Sequence, residues 1–328
     1  MVLIRYGDVS GFELRDLPKP GLRPGHVRVR VFATSVNPVD CKLRQHGPAA
    51  APGLPAVLGA DFAGRVEAVA ADIRGFAPGD DVYGCAGGVR GAAGGALAEY
   101  LLADARLVAH KSRTLRFRES AALPLVAITA WEGLERAGVR AGASVLVRAG
   151  AGGVGHVVVQ LAKSRGAHVT ATASSAQRAA IVRGLGADAV VECSRDDGPD
   201  AVVRLTDGRG YDVVFDASGS NDFGWAAGAA RLNGQVIAIA ARGQHDFAPL
   251  FSRGLTLHLV YVLIPMLHDA GREKHGAILA EVASLVDAGR LRPLVDPRRF
   301  RLEQAGDAHR LVESGTATGK VVVDVAEL

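Results

Sequence analysis

The chain has 328 residues, of which 48% are hydrophobic, 22% charged and 5% aromatic. This length is typical of two domains, and the composition is that of a globular protein rather than a fibrous or disordered one. The net charge of +4 comes from dispersed basic residues, of which Arg298-Arg299 is the densest pair, so a nucleic-acid partner is not expected.

Nothing in the sequence predicts secretion or insertion into a membrane. The N-terminus lacks a basic head followed by an apolar run, and no stretch approaches about 18 uninterrupted apolar residues. The three cysteines, Cys41, Cys85 and Cys193, are far apart and form no CxxC pair. This usage fits a reducing compartment, so the sequence predicts a cytoplasmic protein.

The first third of the chain predicts β structure. Val27–Val31 alternates strictly between apolar and charged residues, and Phe62–Val69 is a second strand-like run. Asn37-Pro38 is one of several turn signals between them. Gly84–Gly95 holds six glycines in twelve positions, which predicts a mobile surface loop, either over a substrate cleft or as a simple connector.

From about residue 121 the pattern changes to strands alternating with helices. Strand-like runs lie at Val145–Val147, His168–Ala171, Val213–Phe215 and Val236–Ile239, with helical patterns at Val154–Arg165 and Ala176–Leu185. This alternation predicts a doubly wound parallel sheet with helices on both faces.

The final part of the chain resumes the mixed texture of the first third. Leu255–Leu267 predicts a buried strand followed by a turn at Pro265, and His275–Ala288 predicts an amphipathic helix. Phe300–Leu302 and a last strand at Val321–Val325 follow. We therefore expect the tail to complete the first domain.

The sharpest motif is Gly150-x-Gly152-x-x-Gly155, which follows a predicted buried strand and precedes a predicted helix. In this context Gly150 permits the tight turn, Gly152 lets the backbone approach a pyrophosphate, and Gly155 allows close packing of helix on strand. The loop as a whole, including Gly153 and Val154, is predicted to bind a dinucleotide. The alternative is an ordinary turn in a glycine-rich protein.

The second strand of the parallel sheet predicts which dinucleotide binds. A carboxylate after this strand would favour NAD, but the chain has Ser174, Ser175 and Arg178 there instead. Hydroxyls and a guanidinium suit the 2′-phosphate of NADP(H). The same serines can also cap a helix, and both roles are compatible.

Six stretches together resemble the medium-chain dehydrogenase/reductase superfamily, and within it the zinc-independent, zeta-crystallin-like quinone oxidoreductases. They are Ser35–Asp40, Leu58–Val66, Phe76–Asp80, Ala127–Trp131, the glycine loop and Ala317–Lys320. The resemblance implies an α/β protein with a Rossmann domain at 123–264, inserted into a GroES-like β-rich catalytic domain made of 1–122 and 265–328. It also implies a nicotinamide cleft at their junction and a homodimer, for which the Leu255–Leu263 strand is a plausible sheet edge.

Further cofactor contacts are implied only by this resemblance. Lys42 replaces a tyrosine of many relatives, and Cys193 replaces a tyrosine or histidine beside the adenosine phosphate. The remaining implied contacts are Thr129, Ala240, Ala241, Val260, Tyr261 and Lys320.

Zinc is not expected. Zinc-dependent relatives carry a cysteine near the position of Asn37, a Gly-His-Glu at the position of Gly59-Ala60-Asp61, and a lobe of four cysteines. This chain has none of these, and tetrahedral zinc needs thiolate or imidazole ligands. A metal role for Asp40, Cys41 or Asp61 is therefore not predicted.

Without a Lewis acid, an acceptor that delocalises the incoming charge itself is favoured over a simple alcohol. The sequence thus predicts a small-molecule conjugated acceptor such as a quinone. An enoyl or 2-alkenal reductase acting on an activated C=C bond is the alternative, and a non-catalytic NADPH-binding protein is the alternative of another class.

The candidate catalytic residues are Asn37, which could hold the nicotinamide ribose or an acceptor oxygen, and Asp40 with Lys42, which could form an ion pair or a proton relay. The alternative for Asn37–Asp40 is a simple turn with an Asx-type bond.

Overall fold

The computed structural model describes residues 1–47, 53–89, 94–193, 198–220 and 222–326. The chain divides into two compact units: a split unit, Met1–Ile128 with Val262–Leu328, and a middle unit, Thr129–Tyr261. The predicted boundaries lie at 122/123 and 264/265. The observed division after Ile128 falls within one continuous helix, Pro124–Arg136.

The elements follow one another along the chain in three groups. The first comprises β1 Val2–Leu3, β2 Phe12–Glu13, β3 His26–Val36, α1 Pro38–His46, β4 Asp61–Val69, β5 Asp81–Cys85, β6 Tyr100–Asp104, β7 Val108–His110, α2 Phe117–Ala121 and α3 Pro124–Arg136. The second comprises β8 Ser144–Arg148, α4 Gly155–Ser164, β9 His168–Ala173, α5 Ala176–Gly184, β10 Ala189–Glu192, α6 Asp200–Val203, β11 Tyr211–Asp216, α7 Phe223–Ala229, β12 Ala230–Ala238, α8 Ala248–Phe251 and β13 Thr256–Leu259. The third comprises α9 Ile264–His268, α10 Arg272–Asp287, β14 Phe300–Arg301, α11 Ala305–Glu313 and β15 Val321–Asp324. Within the described ranges, no helix combines the length and apolarity needed to cross a bilayer.

The split unit is organised around a seven-stranded sheet in the order β14-β15-β3-β4-β5-β7, with β6 also paired to β3. Strand β3 is its centre: in its first half Val27, Val29 and Val31 are buried while the alternate residues reach solvent, and from Phe32 onward every residue is buried. The C-terminal strand β15 pairs antiparallel with β3, so the tail of the chain contributes to this sheet.

The middle unit contains a six-stranded sheet in the order β10-β9-β8-β11-β12-β13, and every pairing in it is parallel. This is the strand order of a doubly wound dinucleotide-binding fold. Strands β8 and β11 are buried along most of their length, as expected for a sheet covered on both faces. The predicted fold class is confirmed.

Strand β13 differs from the prediction of a buried strand. It lies at one end of the sheet order, and its four residues are exposed or half-exposed because only β12 pairs with it in the part of the chain that the structure describes. Pro265 does not form a turn either. It lies in the first turn of α9, where its missing N–H costs no helical hydrogen bond.

In the described part of the glycine-rich segment, residues 84–89 with 94 and 95, most glycines are buried rather than exposed as the composition suggests. Gly84 belongs to β5, and Gly87–Val89 are buried. A Cβ on Gly88 would lie 2.6 Å from the backbone nitrogen of Gly59, and one on Gly95 would lie 2.2 Å from the carbonyl oxygen of Leu58. The glycines permit backbone-to-backbone packing. Residues 90–93 of the predicted loop lie outside the described residues.

Candidate functional site

The candidate cofactor site of the middle unit lies at the carboxyl edge of its sheet. All six strands run parallel, so their C-terminal ends share one edge. The chain passes from β8 through β9 to β10 on one side and from β11 through β12 to β13 on the other. The reversal between β8 and β11 is a topological switch point, where open α/β sheets bind dinucleotides.

The glycine loop connects β8 to α4 at this point, and its backbone differs in one respect from the prediction. The left-handed residue of the turn is Ala149, with φ 59°, whereas Gly150 does not have a positive φ. Gly150 is required for space instead, because a Cβ there would lie 2.9 Å from the Cβ of Ala171. The peptide N–H groups of Ala149 and Gly150 donate to the hydroxyl and carbonyl oxygens of Thr172, at 3.0 and 2.9 Å.

Gly155 fits its predicted role most closely. A Cβ at this position would lie 2.1 Å from the carbonyl oxygen of Ala149, so any side chain would push α4 away from the end of β8. Helix α4 therefore begins directly above the loop. The N-terminus of a helix is positive, although the N–H groups of His156 and Val157 already donate to the carbonyl oxygens of Gly152 and Val154, at 3.2 and 3.0 Å. These features fit a pyrophosphate.

Ser174, Ser175 and Arg178 come together after β9. Ser175 caps α5, its Oγ accepting the N–H of Arg178 at 3.3 Å, and the Arg178 guanidinium donates to Ser174 Oγ at 3.0 Å. The serines are exposed and Arg178 is half-buried. Ser175 therefore caps the helix, as the alternative role predicted. The same hydrogen bonds hold two hydroxyls and a guanidinium together at the carboxyl edge.

Five of the residues implied by the resemblance follow strands of this sheet at the same edge, whereas Lys42 and Lys320 belong to the split unit. Cys193 follows β10 and donates its N–H to Ala173 at 3.0 Å, Ala240 and Ala241 follow β12, and Val260 and Tyr261 follow β13. Thr129 lies in α3 and is buried.

A charged pair that was not predicted from the sequence lies at the switch point. Arg148 and Asp216 are the last residues of β8 and β11 and lie directly opposite each other in register. Their side chains are about nine-tenths buried, and the Nη1 atom of Arg148 lies 3.7 Å from Oδ2 of Asp216. The arginine at the end of the largely apolar strand β8 is the feature of the sequence from which this pair could have been suspected.

A second cluster of polar residues lies inside the split unit, around Asp61. Its Oδ2 atom accepts hydrogen bonds from Ser35 Oγ at 2.7 Å and Asn37 Nδ2 at 2.8 Å, and lies 3.4 Å from Nζ of Lys320. Its Oδ1 atom accepts the N–H of Leu125 at 2.8 Å. Lys320 also donates to Asn37 Oδ1. All these side chains are buried, so Asp61, Asn37 and Lys320 form a buried charged network, which we call the Asp61 network.

Asn37 does not form a simple turn. It is the N-cap residue of α1, followed by a proline in the first turn, and its N–H donates to Oδ2 of Asp40 at 2.8 Å. Its side chain is used in the Asp61 network instead of in capping. The amide orientation is therefore fixed by an acceptor on one side and a cation on the other.

Asp40 and Lys42 do not form the expected ion pair. Residues two apart on a helix point to different sides, and Asp40 is buried whereas Lys42 is partly exposed. Oδ1 of Asp40 has no hydrogen-bond partner within the described residues. Burial raises the pKa of Asp40 to about 7, and the nearby Asp61 charge adds to this while the Asn37 N–H and Lys320 oppose it.

The two cysteines of this region are buried. Burial, together with the charge of Asp61, raises the pKa of Cys85 well above its ordinary value, and burial likewise raises the pKa of Cys41. Such thiols are poor nucleophiles. Across the described ranges, no group of three or more His, Cys, Asp or Glu side chains is arranged to hold a metal ion.

Two family models match the chain. Residues 23–113 match the alcohol dehydrogenase GroES-like domain, and residues 185–323 match the zinc-binding dehydrogenase domain. A chloroplastic NADPH-dependent alkenal/one oxidoreductase from Arabidopsis thaliana is 34% identical over 97% of this chain and 78% of its own length. A chloroplast envelope quinone oxidoreductase homolog from the same plant is 31% identical over 97% of this chain and 95% of its own.

The chain belongs to the medium-chain dehydrogenase/reductase superfamily, in its quinone oxidoreductase-like group. The family predicted from the sequence is confirmed, and the chain is an oxidoreductase of that superfamily. Among solved structures, an alcohol dehydrogenase superfamily protein from Novosphingobium aromaticivorans is 39% identical, with a TM-score of 0.92 over 99% of this chain and 100% of its own.

Proposed function

We propose that this medium-chain dehydrogenase/reductase uses NADPH, without zinc, to reduce a conjugated small-molecule acceptor, either a quinone or the activated C=C bond of an alkenal or enone. The observation that carries the cofactor choice is the group Ser174, Ser175 and Arg178 after β9. A guanidinium beside two hydroxyls attracts a 2′-phosphate, whereas the carboxylate typical of NAD sites would repel it.

The acceptor class rests on the relatives and on the chemistry of the reaction. The two relatives are named for alkenal/one and quinone reduction, and both acceptor classes delocalise the charge that arrives with hydride. When bound, NADPH supplies the hydride. The residues of this chain would bind the cofactor at the glycine loop and orient the acceptor against it.

Among the three candidate catalytic residues, Asn37 is the strongest. Its amide is held in one orientation by Asp61 and Lys320, and only one of its two Nδ2 protons is used in these bonds. The second proton is the one we propose for an acceptor or ribose oxygen. For Asp40 we propose a carboxyl that is partly protonated near neutral pH rather than an ion pair with Lys42. For Lys42 we propose a direct cofactor contact instead.

We test the proposal by titrating the protein with NADPH and NADH, and then measuring NADPH oxidation with 1,4- and 1,2-quinones, alkenals, enones and enoyl thioesters. We expect tight NADPH binding and turnover with quinones or alkenals, and the acceptor with the highest kcat/KM identifies the class. Tight NADPH binding without oxidation by any acceptor would instead identify a non-catalytic binding protein.

We further propose that the protein is a cytoplasmic homodimer that pairs through the exposed edge of β13, with no nucleic-acid or membrane partner. Sedimentation at several concentrations tests this. A dimer that dissociates when Leu257, in β13, is replaced by Pro supports it, and a monomer at every concentration contradicts it.

A further inference from the structure

The Arg148–Asp216 pair lies at the switch point but has no role in the function proposed above. The carboxyl ends of β8 and β11 are the two strand ends that flank a dinucleotide in this fold. The loop after β8 is the glycine loop. The loop after β11, residues 217–220, is the second wall of the same crevice, and we call it the switch loop.

The switch loop is held by hydrogen bonds of its own. Oδ1 of Asp216 accepts the N–H of Ser218 at 2.9 Å and its hydroxyl at 2.5 Å, and Oδ2 accepts the hydroxyl of Ser220 at 3.2 Å. Ser220 Oγ in turn accepts the N–H of Asp222, the N-cap residue of α7, at 3.3 Å. These bonds shape the loop but do not connect it to the glycine loop.

Arg148 supplies that connection, because it directly precedes Ala149 at the start of the glycine loop while its side chain reaches the switch loop. Its Nη1 atom donates to Ser220 Oγ at 2.8 Å and lies 3.7 Å from Asp216, and its guanidinium lies 4.3 Å from the centre of the Trp225 indole in α7. One side chain therefore contacts the residue before the switch loop turns, the residue at its end, and the helix that follows. Ser220 Oγ has three donors within hydrogen-bond distance, Arg148 at 2.8 Å, the Ser218 hydroxyl at 3.0 Å and the Asp222 N–H at 3.3 Å, and it donates to Asp216, so it has no capacity left.

Burial of these two charges costs more free energy than a purely structural contact would justify. A buried ion pair gains little stability over well-packed apolar residues, because both charges must leave water. A planar guanidinium, however, fixes direction through its donors and its stacking face at once. We propose that Arg148 is a positioning residue that locks the switch loop beside the glycine loop and so preorganises the cofactor crevice; this inference rests on the proposed binding of NADPH there.

If so, removing Arg148 should weaken cofactor binding without changing the chemical step. The loop would then have to be ordered when the cofactor binds, which lowers affinity. We expect Arg148→Gln to raise the Kd and the KM for NADPH about tenfold, with kcat within about twofold of wild type. Arg148→Lys, which retains the charge but not the planar fork, should recover part of the affinity.

The arginine that contacts the other tryptophan, Trp131, provides a matched control. Arg165 follows α4 and lies 5.2 Å from the ring centre of Trp131, but it lies away from the carboxyl ends of β8 and β11. Arg165→Gln thus removes a similar arginine–tryptophan contact without touching the switch loop. We expect its Kd for NADPH to stay within about twofold of wild type.

A second readout does not depend on the cofactor. Trp131 and Trp225 are the only tryptophans, so Trp131→Phe leaves Trp225 as the single indole reporter. In that background Arg148→Gln should increase acrylamide quenching of Trp225 in the free protein, since the covering guanidinium is lost. Ser220→Ala removes one partner of Arg148 and is a milder change. It should also increase the quenching and the Kd for NADPH, by less than Arg148→Gln does.

The outcomes separate the inference from the proposed function. Failure of the wild-type protein to bind NADPH overturns the proposed cofactor, while the quenching of Trp225 still tests the locking role. Wild-type binding, with Arg148→Gln and Ser220→Ala both within about twofold of it and with unchanged quenching, overturns the inference. If Arg148→Gln does not fold, the Kd for NADPH and the quenching of Trp225 are measured instead on Ser220→Ala and on the charge-balanced variant Arg148→Gln/Asp216→Asn.

Discussion

The Asp61 network of the split unit and the carboxyl edge of the middle unit use polar groups in opposite ways. In the Asp61 network, full charges are buried and satisfy one another through side chains. At the carboxyl edge, the groups that fit a cofactor are backbone N–H groups, exposed hydroxyls and one half-buried arginine. The free energy of folding must offset the burial of the first arrangement, whereas the second would be completed by the cofactor that we propose.

This difference predicts whether a mutation lowers the stability of the folded protein or its affinity for a ligand. A buried charge left without its partner destabilises the folded state strongly, since water cannot replace the partner. An exposed group loses little when it is removed from the free protein, and its absence becomes apparent only when the ligand binds. The following experiments test this contrast.

The largest effect is expected for Lys320→Met. It leaves the buried Asp61 carboxylate without its cation, so the free energy of unfolding should fall by about 3–5 kcal/mol. Urea unfolding measures this, with Lys274→Met at an exposed position as the control. The double variant Lys320→Met/Asp61→Asn should recover part of the loss, and a loss no greater than that of the control would contradict the prediction.

Asp40→Asn should change how stability depends on pH. The pKa of Asp40 is raised to about 7 in the folded protein, so its protonated form is favoured there. The folded state then binds more protons than the unfolded state between roughly pH 4 and pH 7, and wild-type stability falls as pH rises through this window. Asp40→Asn removes that fall, so its stability relative to wild type should increase by a few kcal/mol between roughly pH 4 and pH 8.

Urea unfolding across this pH range tests the prediction, with Asp16→Asn at an exposed position as the control. Parallel pH profiles for wild type and Asp40→Asn would show that folding does not raise the pKa of Asp40, and would contradict the prediction.

Gly155→Ala tests the carboxyl edge directly. The added Cβ would meet the carbonyl oxygen of Ala149, displace α4 and misplace its N-terminal N–H groups. We expect the Kd for NADPH to rise about 100-fold. Gly224→Ala is the matched control, because a Cβ there finds only an ordinary contact at 3.5 Å. If Gly155→Ala and Gly224→Ala bound NADPH with equal affinity, the glycine loop would not be the site of cofactor binding.

The smallest effect is expected for Arg178→Ala. Loss of one charge-assisted contact should raise the Kd for NADPH about tenfold and leave the Kd for NADH within about twofold. Arg183→Ala, on the exposed face of the same helix, serves as the control. Fluorescence titration with both cofactors decides, and an equal loss for NADPH and NADH would exclude recognition of the 2′-phosphate by Arg178.

Much of the carboxyl edge could be predicted from the sequence because its determinants are local. The strand, the glycines and the helix of the cofactor loop are consecutive, and Ser174, Ser175 and Arg178 lie within one turn of each other. The exchange of roles at Ala149 and Gly150 could not be predicted, since the crowding at Gly150 comes from Ala171 on the neighbouring strand.

The glycine-rich segment shows the opposite case. Composition alone suggested a mobile loop, but Gly88 and Gly95 lie against the backbone of Leu58 and Gly59. Absence of a side chain permits flexibility in an isolated peptide and close packing in a folded one, and local sequence does not distinguish the two.

The sequence alone was enough for the alternation of strands and helices, the family, and the position of the glycine loop, because each depends on residues that are close along the chain. The tertiary structure decided which polar groups act together. Asp61 meets Asn37 across 24 positions and Lys320 across 259, and Arg148 meets Ser220 across 72. Such pairs form only when sheet pairing brings distant strands side by side, and the low dielectric of the interior then makes each partner matter.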